Sequence, residues 1–320
     1  MKRIILALAG LAAVAGAQGY RPPEHRLPAP LLTGASEPEL RAHADAGATV
    51  ERNRTARWTL AEHRRLAAAL ARVAPQRRGV VDAFVVVAAL DSDAVFGREA
   101  RAAVKVLARR YGADGRTILL AGSDGHAEST LPIASPAALG AALARVAEVM
   151  DPAEDVLVLY TTSHGAPFGI VYADGDDGHG AVSPGWLWRE LGTLGIANRL
   201  LIVSACYSGI FVPVLASDTT AIVTASSADR TSFGCEADND WTFFGDALVN
   251  RALRKPQPLA LAVAAAQTEI GGWERGAALT PSQPQVAIGA GAARWLAALE
   301  RRVPDGGAPV GRPSIDSLSE

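Results

Sequence analysis

"RLLIVSACYSG", residues 199–209, decides how the chain is read. Leu200 to Val203 is apolar without alternation, Ser204 and Ala205 are small, and Cys206 stands where the run stops, just before turn residues. A short apolar run closed by turn residues is a strand buried on both faces, the kind that a parallel sheet contains. Runs of the same kind lie at 80–90 ("VVDAFVVVAAL"), 117–122 ("TILLAG"), 155–163 ("DVLVLYTTS") and 220–226 ("TAIVTAS"), and "QVAIG" (285–289) is a candidate last strand. Helical patterns separate them. "GREARAAVKVLARRYG" (97–112) puts Ala100, Val104, Leu107 and Tyr111 on one face and ends at Gly112. Ser135-Pro136 and Ser183-Pro184 each offer an N-cap followed by a first-turn proline. Earlier, Thr59 and Glu62 have capping-box spacing for a helix ended by Pro75, and helices fit 241–253 and 257–271. Strands alternating with helices predict an α/β fold, a three-layer sandwich with a mostly parallel central sheet.

The expected domain spans 56–303. Residues 18–55 are rich in Pro, Ala and Gly and read as a flexible arm, and 304–320 as a disordered tail. At the start, Lys2 and Arg3 precede the apolar run Ile4–Ala17, which closes on Ala15-Gly16-Ala17. A charged head, a short apolar stretch and a small-residue site predict a signal peptide over 1–17, and hence an exported, periplasmic or extracellular protein. An uncleaved anchor is the alternative, but the run is short of the roughly 20 residues a spanning helix needs. No second run of that length follows, so stable membrane insertion after cleavage is not expected. A net charge of −2 points away from nucleic acid or an anionic membrane as the main partner.

In an open parallel sheet, functional side chains collect beyond the carboxyl ends of the strands. The run at 155–163 ends in His164-Gly165 and the run at 199–205 ends in Cys206. If these strands are neighbours, a thiol and an imidazole share one crevice. A thiol reacts as its thiolate, with an ordinary pKa of about 8.5, so a nearby imidazole is a fitting activator. The N–H groups of Gly165 and Cys206 would then face a developing oxyanion. Cys235 is the second of two cysteines, so the pair is either one bridge or at least one working thiol. "ADGDDGHG" (173–180) gathers Asp174, Asp176, Asp177 and His179, but Gly185 stands where an EF-hand needs glutamate. It reads as a solvated active-site loop, with no metal expected. "LAGSDGHAES" (120–129) approaches a serine-hydrolase elbow but has Ala121 in place of the first glycine, and His126 reads as a surface residue.

"YTTSHG" followed by "VSACYSG" resembles the cysteine peptidases that include caspases and legumain. The similarity to the legumain family continues through "ASSADRTSFGCEADNDWTFFGDAL" (225–248) and "SQPQVAIG" (282–289). The resemblance implies a caspase-like fold and an endopeptidase cutting after Asp or Asn, with no cofactor and a protein or peptide substrate. Cys206 is then the nucleophile, His164 the general acid/base, and the N–H groups of Gly165 and Cys206 the oxyanion hole. Arg98, Ser204, Thr231, Ser232 and Asp246 fall at or near substrate-pocket positions. Ser204 stands where the family has an acidic residue, and Gly97-Arg98 where it has a basic pair, which favours Asp over Asn. Transpeptidation is a further possibility for such a site. The competing reading is a catalytically weak caspase-like module that binds peptides or scaffolds a periplasmic complex.

Overall fold

The structure, a computed structural model, describes residues 36–122 and 129–319. The expected signal peptide, the first half of the expected arm, His126 and the serine of the elbow-like motif lie outside the described residues.

The described residues begin with α1 (Glu37–Asp45), β1 (Thr49–Glu51) and α2 (Ala56–Ala71). The alternation then begins with β2 (Ala83–Ala89), α3 (Ala94–Tyr111), β3 (Thr117–Leu120), α4 (Pro136–Val149) and β4 (Val156–Thr162). Three short strands follow, β5 (Gly165–Ala166), β6 (Gly169–Asp174) and β7 (Gly178–Val182). After α5 (Pro184–Thr193) come β8 (Arg199–Ser204), α6 (Val212–Leu215) and β9 (Thr220–Thr224). A π-helical segment (Gly245–Ala252), α7 (Leu259–Gly276), β10 (Gln285–Ile288) and α8 (Ala290–Leu299) complete the layers.

The central sheet has the order β10-β9-β8-β4-β2-β3, with every pair parallel except β10 against β9. Successive side chains on a strand face opposite layers, and both layers here are apolar. Val85 and Val87 join Val158, Tyr160, Leu200 and Ile202 in a core under α3, the π-helical segment and α7. Phe84, Val86 and Ala88 join Leu157, Leu159, Leu201 and Val203 in a second core under α4 and α5. Burial on both sides is why these strands read as unbroken apolar runs.

Local chemistry sets the helix ends. Ser135 and Ser183 accept the N–H groups of Ala138 and Trp186 at 3.1 and 3.0 Å, as expected of N-caps. Gly112 ends α3 in the left-handed conformation, φ 61°. The cap of α2 is Thr55 rather than Thr59: Thr55 Oγ1 accepts the N–H of Trp58, while Glu62 is drawn off to Arg65 and to the N–H of Ile133.

Three expectations are corrected. The expected arm is ordered from Ser36: α1 packs on α5 and β7, and β1 pairs with β7, Thr49 opposite Gly180. The "ADGDDGHG" stretch is the β6–β7 turn, not a solvated loop. Asp174 and His179 are buried, with Asp174 paired to Arg54 at 2.6 Å and Arg52 reaching His179 at 3.4 Å. The tail is also packed. Trp241 and Asn250 donate to the carbonyl of Val310, and Ser314 is buried against Asp246. Its glycines and prolines mimic a disordered composition, yet its backbone groups find buried side-chain partners. No described helix is long and apolar enough to cross a membrane.

Candidate active site

Thr162 on β4 lies opposite Ser204 on β8, so the parallel register carries His164 and Cys206 side by side past the strand ends. Gly165 makes this proximity possible. A Cβ added there would lie 1.9 Å from the carbonyl oxygen of Cys206 and 2.8 Å from its nitrogen. Gly165 also faces Ile170 on β6, with Val171 N–H donating to His164 O at 3.0 Å. That makes Gly165 and Ile170 a non-hydrogen-bonded antiparallel pair, which turns the Gly165 N–H away from β6.

His164 Nε2 lies 3.0 Å from Asp93 Oδ2, the two side chains being 41% and 31% exposed. Asp93 occupies the N-cap position of α3, its side chain turned to His164 rather than to the helix, and Phe96 in the first turn meets the imidazole edge-on at 5.0 Å. One turn of helix therefore sets both the orientation and the wall of the ring. Asp93 was missed in the sequence although the same strand-end rule reaches it. Ala89 on β2 pairs with Thr162, so the residues after β2 arrive beside His164. Asp91, Asp93 and His164 bring ligand atoms within 4.8 Å of one another. A divalent cation held there would draw density from the imidazole and oppose its protonation. Replacing Asp93 with Asn should lower kcat roughly 10²-fold at unchanged KM, because aligned acid–base assistance is worth about 10²–10⁴. Steady-state kinetics beside a thermal melt separate that from a folding defect.

The thiol sits in a turn. Tyr207 adopts φ 58°, a left-handed conformation that costs a non-glycine residue about 1–2 kcal/mol, and its N–H donates to Arg230 O at 2.8 Å. This turn swings the chain out of the β8 line directly after Cys206. Ser232 N–H points at Cys206 Sγ from 3.2 Å, with the Ser232 carbonyl and hydroxyl each at 3.6 Å. An N–H aimed at the sulfur is placed to hold negative charge there. Both cysteines are free. Burial pushes the Cys235 thiol well above its ordinary value, with the neighbouring Cys206 adding to it.

The residues expected to line a substrate pocket divide. Ser232 touches the thiol, and Thr231 beside it is exposed. Ser204 instead is buried, 3.2 Å from the Thr242 hydroxyl. The Arg98 guanidinium is taken up by the Ala237 and Asn239 carbonyls and by Asp240 at 3.2 Å. Asp246 is fully buried, bound to Arg251, Asn250 and Ser314. Resemblance to the family's pocket positions suggested these three, but each is spent on structure.

A thiol and a carboxylate-held imidazole at the carboxyl edge of a parallel sheet are the equipment of a cysteine peptidase. Residues 139–268, from α4 through β8 and its cysteine into α7, match the model of the Peptidase C13 family, a family of cysteine peptidases. No curated protein matches it in sequence. The fold is similar to the crystal structure of caspase-1 from Spodoptera frugiperda, at 14% identity and a TM-score of 0.43, covering 68% of this chain and 94% of that one.

Proposed function

We propose that the chain is an endopeptidase that cuts after Asp or Asn through an acyl-enzyme on Cys206, with His164 as acid and base. The observation that carries this reading is the contact of the Gly165 and Cys206 backbones, which holds the two strand tips together. Asp93 holds Nε2 of His164, so proton exchange with the thiol falls to Nδ1. Sulfur attacks the scissile carbonyl, the C–N bond breaks, and the imidazolium returns its proton to the departing amine. Water then gives a proton to His164 and displaces the thiolate from the acyl group, releasing the new carboxyl end. The N–H groups of Gly165 and Cys206 face the oxyanion in both steps.

The side chain selected remains Asp or Asn by resemblance, now without Arg98 or Ser204 as its basis. Arg230, 37% exposed and adjoining Thr231, is the cation nearest in sequence to the thiol cradle, but Asp229 lies 3.7 Å from its Nε, so it gives no separate basis for choosing between them. The leader read over residues 1–17 adds that the enzyme works after export.

A fluorogenic peptide panel varied at the cleaved residue tests the reading. Turnover after Asp or Asn, with at least a 10³-fold loss in Cys206→Ala, is the expected result. Preference for Lys or Arg overturns the specificity, and equal turnover by Cys206→Ala overturns the mechanism. A folded, free-thiol enzyme that cleaves no peptide points instead to a peptide-binding module.

A further inference from the structure

The outer face of α3 carries a row of cations. Arg98, Arg101, Lys105 and Arg109 are spaced by three, four and four residues, which puts them on one side of the helix. Across from them Arg254 completes a groove of about 490 Å³. Ala102, Val106 and Val310 form its apolar parts, Val310 being 46% exposed. Lys105, Arg109 and Arg254 make no ion pair among the described residues. Among the described residues, Arg109 and Arg254 donate to the carbonyl oxygens of Asp305 and Gly306, at 3.0 and 3.1 Å. Arg254 Nε is buried with no acceptor among the described residues. Arg98 is neutralised by Asp240, but the positive charge of Lys105, Arg109 and Arg254 stands out in a chain whose net charge is −2.

The groove's position relative to the candidate active site suggests a partner. α3 follows directly on Asp93, beside His164, and runs back along the sheet. At 1.5 Å per residue, the cationic row begins about 8 Å along the helix axis from Asp93 and extends roughly 16 Å further. An extended peptide rises about 3.3 Å per residue, so some five residues would span the row. We propose that this groove is an exosite for an acidic stretch of the polypeptide substrate, engaged while another part of the same chain occupies the Cys206 site. The identity of the partner as a polypeptide rests on the peptidase reading.

The test uses full-length Cys206→Ala protein and fluorescein-labelled hexaglutamate, with binding read by anisotropy at low salt and at about 0.3 M, where screening shortens to a few ångströms. The expected result is saturable binding that salt weakens, with at least a tenfold loss in Lys105→Glu/Arg109→Glu. The charge-matched pair Arg57→Glu/Arg64→Glu, exposed on α2, should change it no more than twofold. Melting temperatures of both double variants identify any folding loss, and the single Lys105→Gln variant, with an expected threefold loss, keeps the test open if the reversal misfolds. No binding to hexaglutamate, or equal loss in the two double variants, overturns the exosite. Tighter binding of hexathymidylate than of hexaglutamate overturns it in favour of a nucleic-acid surface. Because the assay needs no turnover, acidic-peptide binding by a protein whose wild type cleaves nothing would sink the peptidase reading and leave the groove standing.

Discussion

Gly165→Ala is expected to abolish turnover and destabilise the fold together. The new Cβ would fall 1.9 Å from the Cys206 carbonyl oxygen and 2.8 Å from both its carbonyl carbon and its nitrogen. All three are backbone atoms, so no side chain can swing aside. Either β4 and β8 part at their tips or the His164 turn is pushed out. Overpacking of this kind costs about 1–3 kcal/mol, occasionally more. Loss of one aligned oxyanion donor alone costs roughly 10²–10³ in kcat. Urea unfolding and steady-state kinetics on the same preparation read both effects. Gly192→Ala on α5, where a Cβ meets nothing within 4 Å, is the control. It should gain up to about 1 kcal/mol from helix propensity and leave turnover unchanged.

Glu99→Ala is expected to have the largest effect on stability. Glu99 is fully buried on α3 and accepts the Tyr160 hydroxyl and, at 2.8 Å, the N–H of Thr242. Thr242 in turn accepts Gly245 N–H at 2.9 Å and lies 3.2 Å from the Ser204 hydroxyl, two residues before Cys206. Burial, reinforced by the Glu99 charge, holds the Tyr160 phenol well above its ordinary value, so it remains a proton donor. Removing the carboxylate strands two buried donors at about 1–3 kcal/mol each, and the vacated volume adds to that. A total loss of roughly 3–5 kcal/mol is expected by urea unfolding. Glu99→Gln, which retains one acceptor and nearly the same volume, should lose about half as much. A loss below about 1 kcal/mol in Glu99→Ala would mean that this network does not brace the strand.

The two predictions mark the boundary between what was legible in the sequence and what was not. Val85–Val87, Leu157–Leu159 and Leu200–Val203 announce their strands because both faces are dry. His164 and Cys206 announce themselves by ending two such strands. β5, β6 and β7 escaped because they are short, rich in glycine and carry Asp174 and His179, which are met by Arg54 and Arg52 from 120 and 127 residues upstream, just after β1. The Ser36–Thr55 segment and the tail escaped for a related reason. Proline and glycine describe a chain without a core of its own, but not the partners, such as Asp246 and Asn250, that order it. Arg98, Ser204 and Asp246 were expected in the pocket by resemblance alone, and matching positions in a family does not reveal which layer a side chain enters. Ser204 shares its strand face with Tyr160's neighbour Ile202, which leads inward to Thr242 rather than outward to substrate.

The measurement that bears most directly on the account is covalent labelling of the native protein by a peptidyl ketone carrying aspartate next to the reactive carbon. Intact mass and peptide mapping locate the adduct. One adduct, on Cys206 and not on the half-buried Cys235, slowed at least 10²-fold in His164→Ala, is the predicted result. Labelling of Cys235 in preference, an unchanged rate in His164→Ala, or a Cys206 protected by a disulfide would contradict it.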